Sequence, residues 1–152
     1  MSMRGNVRSG IKEAEMYSNI MIPVDLKHAD QMGKALSVAV DIAKLYGAKV
    51  HIVGVGQTLP TEVARTPVEY TEKLAAFAAE RSKVFGITLT PHSEISHDLT
   101  IDLDDVLERA ADAIGIDLIV MASHVPGFAE HLFASNAGYL ASHASMSVLV
   151  VR

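Results

Sequence analysis

Cysteine is absent from this 152-residue chain, which removes disulfides, thiolate metal sites and cysteine nucleophiles from consideration by inventory alone. An excess of positive charge is also missing. Thirteen Lys and Arg face eighteen Asp and Glu, for a net charge of −5, so there is no general basic face to neutralise phosphates and nucleic acid is not an expected partner. No stretch approaches the roughly 20 consecutive apolar residues of a membrane span, and membrane insertion is not expected. Arg4, Arg8 and Lys12 lie near the start, but the apolar segment that would follow them in a signal peptide is lacking. The expected location is therefore cytoplasmic. Internal repeats and low-complexity tracts are lacking as well. What is present is material for one core: 49% of the residues are apolar and 20% charged, in a length that suits a single domain. Residues 1–15 read as a flexible extension and 16–152 as the domain.

From Tyr17 onward, short apolar runs alternate with stretches of helical spacing. Asn19 to Val24 is a nearly continuous apolar run, as in a strand buried on both faces. Met32, Leu36, Ala39, Val40 and Ala43 then recur on one helical stripe, closed by Gly47. Ala48 to Val55 predicts a second strand and Gly56 to Arg65 a polar loop. Thr66-Pro67-Val68-Glu69 combines a capping box with proline at the first helical position, opening a helix to about Phe85. Ile87 to Ile95 predicts a third strand, which Pro91 assigns to a sheet edge. Leu103 to Ile114 reads as a helix, Ile116 to Met121 as an interior strand, Asn136 to His143 as the last helix, and Ser147 to Val151 as the fifth strand. Helices between successive strands imply a parallel α/β sheet with right-handed crossovers, covered on both faces.

In such sheets ligands bind beyond the carboxyl ends of the strands, where the strand order reverses. Val24 and Asp25, Val53 to Val55, and the segment Met121 to Asn136 fall there. Asp25 suits a ribose hydroxyl, and equally suits capping the helix that follows. Ser135 is placed as a helix N-cap whose following backbone N–H groups would receive an anion such as phosphate. His124 and His131, and His92 and His97, lack the spacing of a metal site. Ser123 lacks the glycine turn that exposes a hydrolase nucleophile, and there is no Walker lysine.

The opening Asn19-Ile20-Met21-Ile22-Pro23-Val24-Asp25, the block Asp117 to His124, the Ala134-Ser135-Asn136-Ala137 turn and the closing Ser147 to Val151 run resemble the universal stress protein family. The blocks come in the family's order from Tyr17 to Arg152. The Ser123-His124 and Pro126-Gly127 pairs and the Ser-Asn-Ala turn resemble its small nucleotide-binding subgroup, some of whose members accompany TRAP-type solute transporters. The resemblance implies a three-layer, Rossmann-like fold of the adenine nucleotide alpha hydrolase type, with five parallel strands in the order 3-2-1-4-5. It implies an ATP-binding regulator of stress responses, with ADP or AMP as other occupants and Mg2+ accompanying the phosphates. It also implies a homodimer formed through Ser147 to Val151 and a transporter as one class of regulated partner. Carried over by position, the nucleotide would meet Pro23, Val24, Asp25, Val53, Met121, Ala122, Ser123, His124, Val125, Gly127, Ala134, Ser135, Asn136 and Ala137. The family's phosphate loop follows Gly-x2-Gly-x9-Gly-[Ser/Thr]; this chain has Ala122 and Val125 in the first two glycine places and Ala134, one residue early, in the third. Valine at a positive φ would be a backbone outlier, so this loop departs from the glycine-rich conformation. Catalysis is expected to be at most slow ATP hydrolysis. A dimeric interaction module that binds no ATP and a weak ATPase stand as alternatives.

Overall fold

The computed structural model describes residues 16–122 and 145–152. The expected extension over residues 1–15 and the expected helix from Asn136 to His143 lie outside them. Strand β1 (Asn19–Val24) is buried at every position but its first, as its unbroken apolar run requires. A 3-10 helix, Leu26–Gln31, follows, then helix α1, Gly33–Tyr46. Gly47 ends α1 at φ 70, returning its N–H to the Ala43 carbonyl, a left-handed closure that glycine adopts without strain. Strand β2 spans Lys49–Gln57 and helix α2 Pro67–Phe85. At the start of α2, Thr66 Oγ1 accepts from the Glu69 N–H at 3.1 Å. The reciprocal contact lands one residue earlier than a standard capping box, because Glu69 Oε1 accepts from Arg65 rather than from Thr66. Strand β3 (Leu89–Ser96), helix α3 (Leu99–Ile114), strand β4 (Leu118–Ala122) and strand β5 (Ser147–Val151) complete the described elements.

The five strands form one sheet in the order β3-β2-β1-β4-β5, and every neighbouring pair is parallel. This is the order the sequence resemblance implied. Successive side chains alternate between faces, which divides the core in two. Ile20, Ile22, Val24, Val50 and Ile52 pack with Leu36, Val40, Tyr70 and Leu74 of α1 and α2. Met21, Val53, Ile119 and Met121 pack with Leu103, Val106, Leu107, Ala110 and Ala111 of α3. The order therefore reverses at β1: the chain first winds outward through β2 and β3, then crosses to β4 and β5 on its other side. Pro91, on β3, stands opposite Ile52 of β2; among the described residues β3 is an edge strand with β2 as its sheet neighbour, where a residue without an N–H is tolerated.

Several boundaries differ from the sequence expectation: α3 begins at Leu99 rather than Leu103, and β4 spans Leu118–Ala122 rather than Ile116 to Met121. The 3-10 helix was unread, β3 begins two residues later than Ile87 and ends at Ser96, and β2 continues past Val55 to Gln57. The last difference has a packing cause. Gly54 and Gly56 alternate with Val55, and the Tyr70 ring lies where their side chains would be. A Cβ on Gly56 would stand 2.7 Å from Tyr70 Cγ and 2.8 Å from Cδ1, and one on Gly54 would collide with the Tyr70 hydroxyl and sit 3.0 Å from Leu74 Cδ1. Gly56, which suggested the start of a loop, is instead with Gly54 the close-approach surface on which α2 docks. Gly56→Ala is accordingly expected to destabilise the fold by about 1–3 kcal/mol, as overpacking typically does. Urea denaturation would measure it, and an unchanged midpoint would mean that the Tyr70 ring can withdraw.

Candidate functional site

Asp25 follows β1 directly and turns the chain into the 3-10 helix. Its backbone is extended (φ −101, ψ 106). Its Oδ1 accepts from the Lys27 N–H at 3.1 Å and its Oδ2 lies 3.0 Å from His28 Nδ1, so the helix-capping role is real. It does not exhaust the carboxylate, which offers about four lone-pair positions, of which these contacts occupy two. The side chain remains about one-fifth exposed. Its negative charge also reaches Tyr70: burial first, and the Asp25 charge second, push the Tyr70 hydroxyl well above the usual phenol range. Tyr70 thus stays a neutral hydroxyl beside the carboxyl ends of β1 and β2. Sequence reading gave it no role beyond the helix that runs to about Phe85, and nothing in its local sequence indicated otherwise.

The register places three of the expected residues in a row across the middle of the sheet. Pro23 pairs with Val53, and Met121 lies two residues beyond Ile119, the partner of Met21. Pro23 is likewise two residues beyond Met21, so Pro23, Val53 and Met121 share the α3 face. Val53 and Met121 are fully enclosed in the core beneath α3. Because β2 runs on to Gln57, Val53 sits inside the strand, and Val55 is the residue of the same face nearest the rim, 8% exposed. Val24 differs from its neighbours. It packs on the opposite face with α1 and α2 and meets the rim only through its backbone. Ala122 ends β4 partly buried. Ser123, His124, Val125, Gly127, Ala134, Ser135, Asn136 and Ala137 lie outside the described residues.

A separate open cavity of about 450 Å3 lies on the α2 side, between the 3-10 helix, the loop after β2 and α2, lined by Leu26, Lys27, Ala29, Glu62, Val63, Lys73 and Phe77. Its charged groups are engaged with one another. Lys27 Nζ pairs with Glu62 at 2.9 Å, which holds the lysine above and the glutamate below their ordinary ranges. Lys73 Nζ donates to the Val63 carbonyl. The cavity and the Pro23–Val53–Met121 row are on different faces of the sheet. Among the described residues, no three His, Asp or Glu side chains gather as metal ligands would.

A doubly wound parallel sheet with an acceptor-bearing carboxylate at its switch point belongs to the class of α/β domains that hold ligands at the carboxyl rim. Residues 16–152 match the model of the universal stress protein family. The chain belongs to that family. It is 30% identical over 142 residues to universal stress protein G of Escherichia coli O157:H7, covering 90% of this chain and all of that one. A solved universal stress protein in complex with cAMP superposes with a TM-score of 0.63 at 20% identity, covering 90% of this chain and 98% of the other. The universal stress protein of Archaeoglobus fulgidus in complex with dAMP gives 0.60 at 21% identity, covering 90% and 99%.

The geometry separates the two roles of Asp25. Asp25→Ala is expected to lower stability by about 1 kcal/mol through loss of the cap, whereas Asp25→Asn, which keeps an oxygen for the Lys27 N–H, is expected to lose less. Denaturant midpoints for the two variants test this; equal losses would place the cost in the His28 contact instead.

Proposed function

We propose that this chain is an adenine-nucleotide-binding regulator of stress responses, working in the cytoplasm as a homodimer and taking ATP, with Mg2+ on its phosphates, at the carboxyl rim of β1, β2 and β4. The observation that carries this reading is the position of Asp25 at the switch point, directly after β1 and with carboxylate lone pairs left over from its capping contacts. A carboxylate with unused lone pairs beside apolar strand ends, with Val55 nearest the rim, suits a ribose that donates from its hydroxyls and a flat purine. Family relatives solved with cAMP and dAMP give the adenine part independent support. Triphosphate and metal fall to Ala122 and to the residues after it, through Ala137, where Ser135 would open a helix toward the phosphates. No described helix is long and apolar enough to cross a membrane. A TRAP-type solute transporter is the partner class that the sequence resemblance brings to this reading.

Heating the purified protein and chromatographing whatever it releases, then titrating ATP with magnesium calorimetrically into emptied protein, tests the proposal. Adenine nucleotide near one per subunit is expected. Asp25→Ala is expected to bind about tenfold or more weakly, the effect of losing a hydrogen bond to a charged group. No released nucleotide and no stabilisation by saturating ATP would overturn the reading in favour of a nucleotide-independent module. Stable binding without phosphate release separates the regulator from a weak ATPase.

The dimer rests on β5. Among the described residues it pairs with β4 alone, and Leu149 and Val150 are 36% and 38% exposed. An edge strand with apolar side chains on view is one that proteins cover or pair, and a second copy does so with two-fold symmetry. Sedimentation should give a dimer mass for the native chain and a monomer mass for Val150→Lys; a native monomer would refute this part.

A further inference from the structure

At the amino end of the sheet, on the face packed against α3, three side chains join β1, β2 and β3. His51 stands opposite Met21 on β1 and Thr90 on β3. Its Nε2 lies 3.1 Å from Asn19 Oδ1, and its Nδ1 lies 2.9 Å from His92 Nε2. The amide oxygen can only accept, so the proton of neutral His51 sits on Nε2 and its Nδ1 is a bare acceptor. His92 must then donate from Nε2. The chain His92 to His51 to Asn19 is complete with both rings neutral. His51 is 9% exposed.

We propose that His92, His51 and Asn19 form a proton-sensitive clasp that fastens the edge strand β3 to the sheet at neutral pH and loosens it on acidification.

The surroundings make a proton unwelcome. On β2, Lys49 is two residues from His51 on the same face; on β3, Glu94 is two residues from His92. Asp117, before β4, spends its carboxylate on the Ser18 and Asn19 N–H groups. From α3, the buried stripe is Leu103, Val106, Leu107, Ala110 and Ala111. Asp104 and Glu108 are half-buried at its borders, and Asp105, Arg109 and Asp112 are exposed. Among the described residues neither ring is ion-paired with a carboxylate; His28 with Asp25 is the histidine that is. Burial, then His92, then Lys49 hold His51 below the ordinary imidazole range. Burial does the same to His92, against a smaller opposing pull from Glu94. One proton can enter the pair with its hydrogen bond intact. A second would set two N–H donors against each other across 2.9 Å, and the link must part.

What parts with it is β3. Among the described residues this strand pairs with β2 alone. On the α2 face, Thr71 Oγ1 to Ser93 Oγ at 2.7 Å and the Leu89 N–H to Ser82 Oγ at 2.9 Å also tether β3, and neither contact has a group that titrates near neutrality. Since the folded protein holds both imidazoles below their unfolded value of about 6.5, the unfolded or opened form binds more protons as pH falls. The contribution to stability is complete above that value and is lost as pH drops through it. The clasp stands independently of nucleotide binding.

Amide exchange, corrected for the intrinsic pH dependence of exchange, reads the effect strand by strand. Between about pH 7.5 and about pH 5.5, the range in which histidine titrates, protection of β3 amides should fall several-fold relative to β1. In His92→Gln the fall should vanish, because the glutamine amide donates to His51 without titrating. An equal fall in both proteins overturns the proposal. Ring NMR of the unsubstituted protein gives a second reading. Both histidines should titrate below about 6.5 with the His51 proton on Nε2, and midpoints at or above that value overturn it as well.

Discussion

One residue, Asp117, fixes the starts of three strands. Its carboxylate accepts from Ser18 N at 2.8 Å and from Asn19 N at 3.0 Å. Its own N–H donates to the Asn19 carbonyl at 3.0 Å, and its carbonyl accepts from Ser147 N at 3.1 Å. Ser18 in turn accepts from Lys49 N at 2.9 Å, which brings in β2. The strands therefore leave a common line, with Ile20 opposite both Val50 and Leu118, and Leu118 opposite Ser147. A slip of one residue would turn every side chain to the wrong face. The row of Pro23, Val53 and Met121 exists at the far end because the near end is pinned, so the candidate site inherits its geometry from a carboxylate several residues away on each strand.

The architecture was legible because it rests on periodicity. The unbroken apolar run of β1, the helical stripe from Met32 to Ala43 and the proline in β3 each have one economical structural solution, and the sheet adopts it. Boundaries were harder to see where a residue type has two uses. Gly56 read as the first loop residue, yet with Gly54 it makes room for Tyr70 within β2, and only the docking of α2 distinguishes the two uses. Asp25 read as a cap or as a ligand group, and the structure shows the cap made with lone pairs left over. His51 and His92 are 41 positions apart, a separation with no local signature. They meet only because β2 and β3 pair in the register that sets His51 beside Thr90 and His92 beside Val53.

Tyr70 joins the two readings of the carboxyl rim. Its ring fills the space over the β2 glycines, and its hydroxyl lies within the electrostatic reach of Asp25. Packing and site chemistry are thereby coupled through one side chain: a change that moves α2 off β2 would also alter the environment of the carboxylate. Such coupling is one reason that structural residues near a rim are hard to separate from binding residues by loss of function alone, and why stability and affinity must be read on the same variant.

Strand β2 carries both ends of the argument, with His51 near its start and Val53 and Val55 toward the rim on the same face. Seven consecutive residues, Val50 to Gly56, are buried. β1 flanks the strand on one side and β3 on the other, and Tyr70 caps its glycines. Loosening β3 removes only one of these supports. The pairing of β1 with β2 and with β4, pinned at Asp117, involves neither His92 nor Pro91. The row formed by Pro23, Val53 and Met121 can therefore persist while the β3 edge opens. An acid response that begins at the His51–His92 contact is confined by the topology to the side of the sheet farthest from β4 and β5, leaving the proposed nucleotide rim and the proposed dimer edge in place.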